Sequence, residues 1–350
     1  MLLPWSLGIT DGTDPELARS YFWWTGHPLV YFWLLPAYTS WYTMMPKQYG
    51  VTLFSDNFGR LAFLMIMIFS IPIGVHHLFS DPGISEFAKA AHAFLTFVVA
   101  FPSLLTAFNI AATLEKAGRN RGGKGLFGWM LKQEWDNPVI AAQLAGMIIF
   151  IVGGVTGLMN ASWNMNVALH NTSWVPGHFH TTLGGAVFLT YVGIFYWLLP
   201  MLRGRKLWNK QIALAQVYTW LIGMALFGMS MGRAGVEGAP RRTDLGAPGV
   251  YISDAWGLWL NFAAIGGFIL LISLILLIAQ IIGTLFFSKE EYAAPAPIET
   301  KAPADALGIF ERWRLWLLVI VVTNVIMWGP VLIQGLNFSS GFWATPFQMR

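Results

Sequence analysis

Long apolar segments alternate with short polar ones along all 350 residues of the chain. A helix needs about 20 apolar residues to cross a bilayer core, and eight segments reach that length. The pattern predicts an all-α, multi-pass membrane helix bundle that forms one domain over residues 1–350, with residues 290–306 as a loop between the last two spans. The predicted spans are residues 22–46, 59–79, 87–114, 138–160, 173–202, 210–233, 254–288 and 312–335.

The composition supports membrane embedding and narrows the chemistry. Only 11% of the residues are charged, whereas soluble domains contain about 25%. The chain has no cysteine, which excludes disulfides and thiolate metal sites, so a bound metal would need histidine or carboxylate ligands. The net charge of +4 is spread over short loops, and we therefore expect membrane lipid, and no nucleic acid, as a partner.

Basic residues concentrate in two connections and predict the orientation. Cytoplasmic loops of membrane proteins are enriched in Lys and Arg, so we expect the connections after the third and fifth spans to face inward. Residues 161–172, which contain no charge, then lie outside. The basic residues are Lys116, Arg119, Arg121, Lys124 and Lys132 in the first connection, and Arg203, Arg205, Lys206 and Lys210 in the second.

All seven histidines fall in the outer half of this topology. Ionisable side chains inside a membrane are costly and usually functional. Seven of them at one depth, from four spans and one loop, favour a shared metal or cofactor layer over unrelated hydrogen-bonded core residues. They are His27, His76, His77, His92, His170, His178 and His180.

The run His178-Phe179-His180 predicts two separate ligand positions. Successive helical residues turn by about 100°, so the two imidazoles point roughly 200° apart and do not grip one ion. Imidazole is a common axial ligand of heme iron, and two hemes on opposite faces of one helix would satisfy this spacing. The alternative is two unrelated buried histidines.

A second set of histidines predicts a metal site. Adjacent helical residues such as His76 and His77 diverge by about 100°, which lets both reach an ion between them. His27 lies at the same depth and would complete a three-histidine site suited to copper or zinc. Tyr31 stacks one turn after His27 on the same helix face, either as a redox phenol or as an ordinary interfacial tyrosine.

Three motifs together resemble the catalytic subunit I of heme-copper oxidases, and the resemblance covers essentially the whole chain. It implies a terminal respiratory oxidase of a prokaryotic plasma membrane that reduces O₂ to water with electrons from cytochrome c and couples this to proton transfer. Leu29, where many members have Glu, and the run beginning at Gly177 are most similar to the B-type branch. The motifs are residues 23–31, the pair His76-His77, and a third motif made up of residues 170–172 and 178–180.

The resemblance also implies roles for individual residues. Tyr31 would be joined covalently to His27 and would supply an electron and a proton to oxygen. The implied ligands are His27, His76 and His77 for copper, His178 for a high-spin heme and His180 for a low-spin heme. The implied heme-propionate partners are His170, Asn171, Arg241 and Arg242, and the implied proton path comprises Tyr31, Tyr42, Ser103 and Thr106.

Two features depart from the family pattern. Asn166 stands where B-type members tend to have an aspartate, which puts proton storage near the propionates in doubt. The family also has further helices upstream, one of which supplies the second axial histidine of the low-spin heme. We therefore expect the chain alone to hold the high-spin heme, to lack one low-spin ligand, and to be inactive without those helices. Either the chain is a fragment, or a separate polypeptide supplies them. An oxidase subunit II with its own copper centre is the other expected partner.

The sequence leaves several alternative functions open. Nitric oxide reductases of the same superfamily generally lack the tyrosine and use a non-heme iron with acidic ligands, so Tyr31 favours oxygen. A non-catalytic fragment that only assembles with partners, and a histidine-lined metal transporter, are further alternatives. Quinol is the alternative electron donor.

Overall fold

A computed structural model describes residues 2–9, 11–293 and 307–342, and over these residues the chain is helical. The described residues form no strand, only the isolated bridges Thr172–Pro240 and Arg205–Glu291. The all-α prediction is confirmed. The helices are α1 (Leu2–Ser6), α2 (Pro15–Tyr49), α3 (Asp56–Ser70), α4 (Glu86–Val98), α5 (Ala100–Asn120), α6 (Gly128–Leu131), α7 (Pro138–Ala161), α8 (Trp163–Leu169), α9 (Trp174–Phe179), α10 (Phe188–Arg203), α11 (Lys210–Val236), α12 (Asp254–Ile282) and α13 (Trp313–Phe342).

Side-chain caps fix where most of the long helices begin. The Asp14 carboxylate accepts a hydrogen bond from the backbone N–H of Leu17 at 2.7 Å, and a proline occupies the next position, where no N–H is needed. Asn137 and Pro138 start α7 in the same way. The remaining caps are Ser55, Ser85, Asn209 and Ser253.

Six helical segments of the described chain are long and apolar enough to cross a membrane. The first two predicted spans are helical, but they are not among the segments that are long and apolar enough. Helix α3 has 15 residues, about 22 Å at 1.5 Å per residue, and α2 contains many polar residues and three prolines. The six segments are Glu86–Asn120, Pro138–Ala161, Trp174–Arg203, Lys210–Val236, Asp254–Phe287 and Trp313–Gln334.

The second predicted span was wrong at its outer end. We expected helix up to residue 79, but α3 ends at Ser70 and the histidine pair lies on a separate 3₁₀ turn, Val75–His77. Pro72 contributes to the break, because proline has no N–H to donate to the helix and its ring clashes with the carbonyl group four residues before it. The pair is therefore positioned by a turn that other elements must hold in place.

The bundle is organised around α7. One core joins α7 to α10, α11 and a wide π-helical segment, His180–Val187, and a second core joins it to α2, α3 and α5. Helix α11 packs along α12, and α13 packs against α2. The space between α2, α5, α7 and the π-helical segment contains the site described next.

The two basic connections lie at the same end of the bundle. Lys210, which follows α10, donates to the Asp136 carboxylate just before α7 at 2.8 Å. Lys206 pairs with Glu290 at 2.9 Å, which brings the start of the 290–306 loop to this end; residues 294–306 of that predicted loop lie outside the described residues. This shared end is the one that the Lys and Arg distribution assigns to the inner side.

Candidate functional site

A cavity of about 320 Å³ lies within the bundle, in the half that the sequence predicts to be the outer one. Apolar residues of α5 and α7 form much of its wall, and polar side chains gather at particular points on the lining. Five of the seven histidines line it, together with Tyr31, Thr96, Ser103 and Arg241. The histidines are His27, His76, His77, His170 and His178.

Three of these histidines converge on one point. Each of His27, His76 and His77 offers a ring nitrogen, and these atoms lie within 4.8 Å of one another. Nδ1 of His27 and Nε2 of His77 face each other at 3.3 Å. An ion that binds all three at about 2 Å draws the nitrogens to within about 4 Å of one another, so small ring rotations suffice to close the triad.

The hydrogen bonds of His76 leave one of its nitrogens for a metal. The Thr96 hydroxyl donates to the His92 carbonyl at 2.6 Å, and its oxygen lies 3.0 Å from Nδ1 of His76. Because the hydroxyl proton is already used, its oxygen accepts from the N–H at Nδ1. Nε2 of His76 then has a free lone pair, which is the arrangement that orients metal-binding histidines.

Aromatic rings restrict the other two histidines. The Trp23 indole stacks on His77 with ring centroids 3.7 Å apart and planes 9° apart. The Tyr31 ring lies 5.1 Å from that of His27 at an angle of 62°. Nε2 of His27 is buried and has no hydrogen-bond partner, so its surroundings suit a further bond at this atom.

His178 lies on the α7 side of the same cavity. Its Nδ1 contacts the Gly153 carbonyl at 3.1 Å and the Thr156 hydroxyl at 3.0 Å. Since Thr156 donates its own proton to Gly153, both oxygens accept from the N–H at Nδ1, and Nε2 is left as a ligand atom. Gly157 allows the ring to lie close, because a Cβ there would lie 2.9 Å from Cε1 of His178.

His180 faces a different part of the molecule. It is absent from the cavity lining and packs edge-on against Phe227 of α11 at 4.9 Å. Nδ1 donates to the Pro176 carbonyl at 2.7 Å, again leaving Nε2 free. The structure thus places the two histidines of the His-Phe-His run on different faces, as their spacing predicts.

One end of the cavity collects unpartnered polar atoms. Four buried atoms have no hydrogen-bond partner: Nε2 of His170, Nε of Arg241, and the side-chain oxygens of Asn160 and Asn166. Burial, with Arg241 and Arg19 nearby, lowers the pKa of His170 to about 4, so the ring is neutral at pH 7. A carboxylate-bearing ligand would satisfy the two nitrogen donors.

The other two predicted propionate partners are placed differently. The Asn171 side chain accepts a hydrogen bond from the Arg241 guanidinium at 3.1 Å and therefore positions that arginine. Arg242 is exposed and does not line the cavity. The sequence signal, an arginine pair, does not distinguish the inward residue from the outward one.

Hydroxyl groups continue from the cavity toward the inner end. Tyr42 donates to Thr106 at 3.1 Å, and one turn earlier Tyr38 donates to Ser103 at 3.2 Å. Sequence reasoning missed Tyr38, although its position one turn before Tyr42 and two turns after Tyr31 was a readable signal. The hydroxyls of Tyr42, Thr106, Tyr38 and Ser103 thus form two hydrogen-bonded pairs, and the Tyr31 hydroxyl belongs to neither pair.

Comparisons with known proteins agree with this geometry. The profile of the family described as Cytochrome C and Quinol oxidase polypeptide I matches residues 1–269. The chain belongs to this family. Its resemblance to heme-copper oxidase subunit I is thereby confirmed.

Individual relatives extend the match. Cytochrome c oxidase subunit 1 of Thermus thermophilus is 45% identical over 95% of the chain, which spans 61% of that relative. A probable quinol oxidase subunit 1 of Staphylococcus haemolyticus is 28% identical over 87% of the chain and is covered over 40% of its length. A heme-copper terminal oxidase solved as a dimer by cryo-electron microscopy superposes with a TM-score of 0.84 at 35% identity, over 95% of this chain and 60% of that one. The chain thus spans about three fifths of the Thermus relative and of the solved oxidase, and two fifths of the staphylococcal relative.

The residues at the site fit the cofactors of this family. The three converging nitrogens form a histidine-only donor set suited to copper. The cavity between them and His178 is apolar along α7, and Gly154 leaves open space there. Its polar end presents unpaired nitrogens of His170 and Arg241 that could hold a heme carboxylate.

Proposed function

We propose that the chain is part of a terminal oxidase that reduces O₂ to water at a heme–copper centre, with electrons from cytochrome c and coupled proton transfer across the membrane. The observation that supports this most strongly is the shared cavity: three convergent histidines, His178 with a free ring nitrogen, and Tyr31 beside His27. A prokaryotic plasma membrane is the proposed location, in line with the bacterial and archaeal relatives.

Each histidine has a proposed ligand role. Copper would be held by His27, His76 and His77, a high-spin heme by His178 and a low-spin heme by His180. When bound, these groups would carry electrons from the donor and provide a binding place for O₂. The chain holds the rings in place through Thr96 and Trp23 on the copper side, and through the Gly153 carbonyl and Thr156 on the heme side.

The proposed proton route uses the hydroxyl pairs. Tyr42 with Thr106, and Tyr38 with Ser103, lie between the inner end and the cavity, and Ser103 and Tyr31 both line the cavity. Hydroxyls both donate and accept, so protons from the inner side can pass along them with intervening water. Tyr31, beside His27, is the proposed donor of a proton and an electron, and the unpartnered Nε2 of His27 suits the proposed covalent link between them.

The outer polar end would hold the propionates of the high-spin heme. His170 and Arg241 supply the donors, and Asn171 orients the guanidinium. Asn166 cannot ionise and burial lowers the pKa of His170 to about 4, so a proton stored at this end would have to reside on a propionate. The exposed Arg242 is then left for a partner or for the low-spin heme.

A nitric oxide reductase is the second candidate, and the donor set argues against it. The metal-binding group among the described residues contains histidines and no carboxylate, whereas the non-heme iron of those enzymes takes acidic ligands. The tyrosine beside the first histidine also favours oxygen. The fragment and transporter alternatives are weakened by the convergent triad of His27, His76 and His77 and by the polar end of the cavity.

Partner chains are part of the proposal. Each of the seven histidines has an assignment: three at the copper site, one for each heme, His170 at the propionates and His92 in the core. The low-spin heme therefore needs a second strong ligand from elsewhere, which we assign to another chain or to additional sequence.

An oxidase subunit II with its own copper centre would deliver electrons from cytochrome c. Quinol is the alternative electron donor that the staphylococcal relatives suggest.

The Tyr31→Phe change tests the proposed function. In the oxidase complex purified from membranes it should nearly abolish O₂ consumption while heme content stays constant, because phenylalanine keeps the packing but has no phenolic proton. Tyr191→Phe is the matched control, since that tyrosine bonds the Trp33 carbonyl away from the cavity. Normal O₂ turnover in Tyr31→Phe, or nitric oxide reduction that outpaces O₂ reduction in the unaltered complex, would contradict the proposal.

A further inference from the structure

His92 is the one histidine that the proposed chemistry does not use. It lies on α4, is fully buried at 0% exposure, and does not line the cavity. A buried imidazole in a membrane helix is costly unless both ring nitrogens are satisfied.

Both nitrogens of His92 are occupied by backbone groups. Nδ1 lies 3.3 Å from the backbone nitrogen of Gly74 and 3.4 Å from that of Val75. It must accept from these two donors, so the ring proton is on Nε2, which donates to the Met327 carbonyl at 3.1 Å. With both nitrogens engaged in this way, His92 is not a metal ligand.

His92 accepts hydrogen bonds from the backbone N–H groups of Gly74 and Val75, which lie at the start of the 3₁₀ turn Val75–His77. The first N–H groups of any helical turn have no partner within the turn, and this turn has no side-chain cap of its own. His92 acts as that cap from a neighbouring helix. It thereby fixes the backbone that bears His76 and His77.

Close packing leaves the turn little freedom to settle elsewhere. A Cβ at Gly74 would lie 2.5 Å from the Trp23 carbonyl oxygen and 2.6 Å from the Trp328 ring. Trp328 also packs edge-on against His92 at 5.2 Å. The turn is thus held between α2, α4 and α13. His92, on α4, makes polar contacts with both the turn's backbone and α13.

We propose that His92 is a positioning residue for the metal ligands His76 and His77: its Nδ1 caps the turn that presents them, and its Nε2 anchors that turn to α13. The inference rests on the proposed function, because it assumes that the two ligands hold copper. A second contact acts through the same helix, since the His92 carbonyl accepts from Thr96, whose oxygen bonds His76.

Three substitutions separate the two hydrogen bonds from simple packing. His92→Asn places an amide oxygen near the position of Nδ1 and retains the cap. His92→Gln places its amide near Nε2 and retains only the link to Met327. His92→Phe retains the ring volume and neither bond. Asn324→Ala is the matched control, because it removes a different bond to α13, that from Trp24 at 2.9 Å.

The measurement is made on the purified oxidase complex. Copper and heme are quantified together, and the infrared band of carbon monoxide transferred to copper by photolysis reports the geometry of its ligands. We expect His92→Phe and His92→Gln to lose copper to a chelator at least about tenfold more readily and to shift the band, as outer-sphere changes at metal sites generally do. His92→Asn, which keeps the cap and loses only the link to Met327, should lose copper less readily than these two variants, and Asn324→Ala should stay close to the unaltered complex.

The heme content shows whether each variant has folded, because the high-spin ligand His178 lies on the other wall of the cavity. An unchanged copper affinity and an unshifted band in His92→Phe would overturn the inference. Equal losses in all three His92 variants would also overturn it, since packing rather than the cap would then be responsible. Absence of copper from the unaltered complex would instead contradict the proposed function.

Discussion

Replacing Thr96 by valine tests whether the hydrogen bond to His76 sustains the metal site. Valine has nearly the same shape as threonine but offers no acceptor, so the N–H at Nδ1 of His76 loses the oxygen that lies 3.0 Å away. The His92 carbonyl, which accepts from the hydroxyl at 2.6 Å, is part of a helix and keeps its backbone partner.

The expected loss follows from the burial of the site. His76 is 6% exposed, and a buried donor left without a partner costs about 1–3 kcal/mol. Loss of a hydrogen-bond partner of a metal-binding histidine typically weakens metal binding by about 10–100-fold. At about 1.4 kcal/mol per factor of ten, the two estimates agree, and we expect Thr96→Val to weaken copper retention by roughly 10–100-fold.

Thr156→Val provides an internal comparison at the opposite wall. His178 would keep the Gly153 carbonyl at 3.1 Å as an acceptor. The free energy of heme binding should therefore fall by less than roughly 1 kcal/mol, the net value of one hydrogen bond. The assay is titration of the purified complex with a copper chelator, read as copper per heme, and heme retention for Thr156→Val. Copper retention in Thr96→Val equal to that of the unaltered complex would refute the reasoning.

Two further changes follow from the structure. Gly157→Ala should reduce heme content, because the new methyl group would lie 2.9 Å from the His178 ring; Gly329→Ala, which meets nothing within 4 Å, is the control, and full heme content in Gly157→Ala would contradict the close packing. Burial, with help from Asp14 and Asp81, raises the pKa of Glu16 from 4.5 to about 7. The folded chain therefore holds this proton more tightly than the unfolded chain, and its contribution to stability, complete below about pH 4.5, is lost as the pH rises to about 7. Thermal unfolding midpoints measured across this range should fall less in Glu16→Gln than in the unaltered protein, and parallel curves would contradict the assignment.

The general architecture was predictable because the membrane imposes simple rules. Apolar length and the positions of Lys and Arg predicted a helical bundle whose basic connections meet at one end, and Lys210 and Asp136 join them there. The first two spans were less predictable. Helix α2 has polar groups that face inside the bundle, which lowers its hydropathy although it packs as a core helix.

The candidate site was predictable to the level of residue type and approximate depth. Spacing indicated that His178 and His180 face apart, and they do. The pair His76-His77 was expected on a regular helix, but that helix ends before Pro72 and a capped 3₁₀ turn presents the pair instead. The cap itself depends on contacts between α4, α13 and the turn that are distant in sequence, which periodicity does not report. The same holds for Tyr38, whose partner Ser103 is 65 residues away.

Copper stoichiometry in a ligand variant tests the central claim most directly. The oxidase complex that contains this chain is purified from membranes, and copper, iron and heme are counted in the unaltered form and in His76→Ala. The account predicts that the variant loses one copper per chain relative to the unaltered complex and retains its heme, because His178 lies across the cavity from the triad. Equal copper in the two forms, or loss of non-heme iron in place of copper, would contradict it.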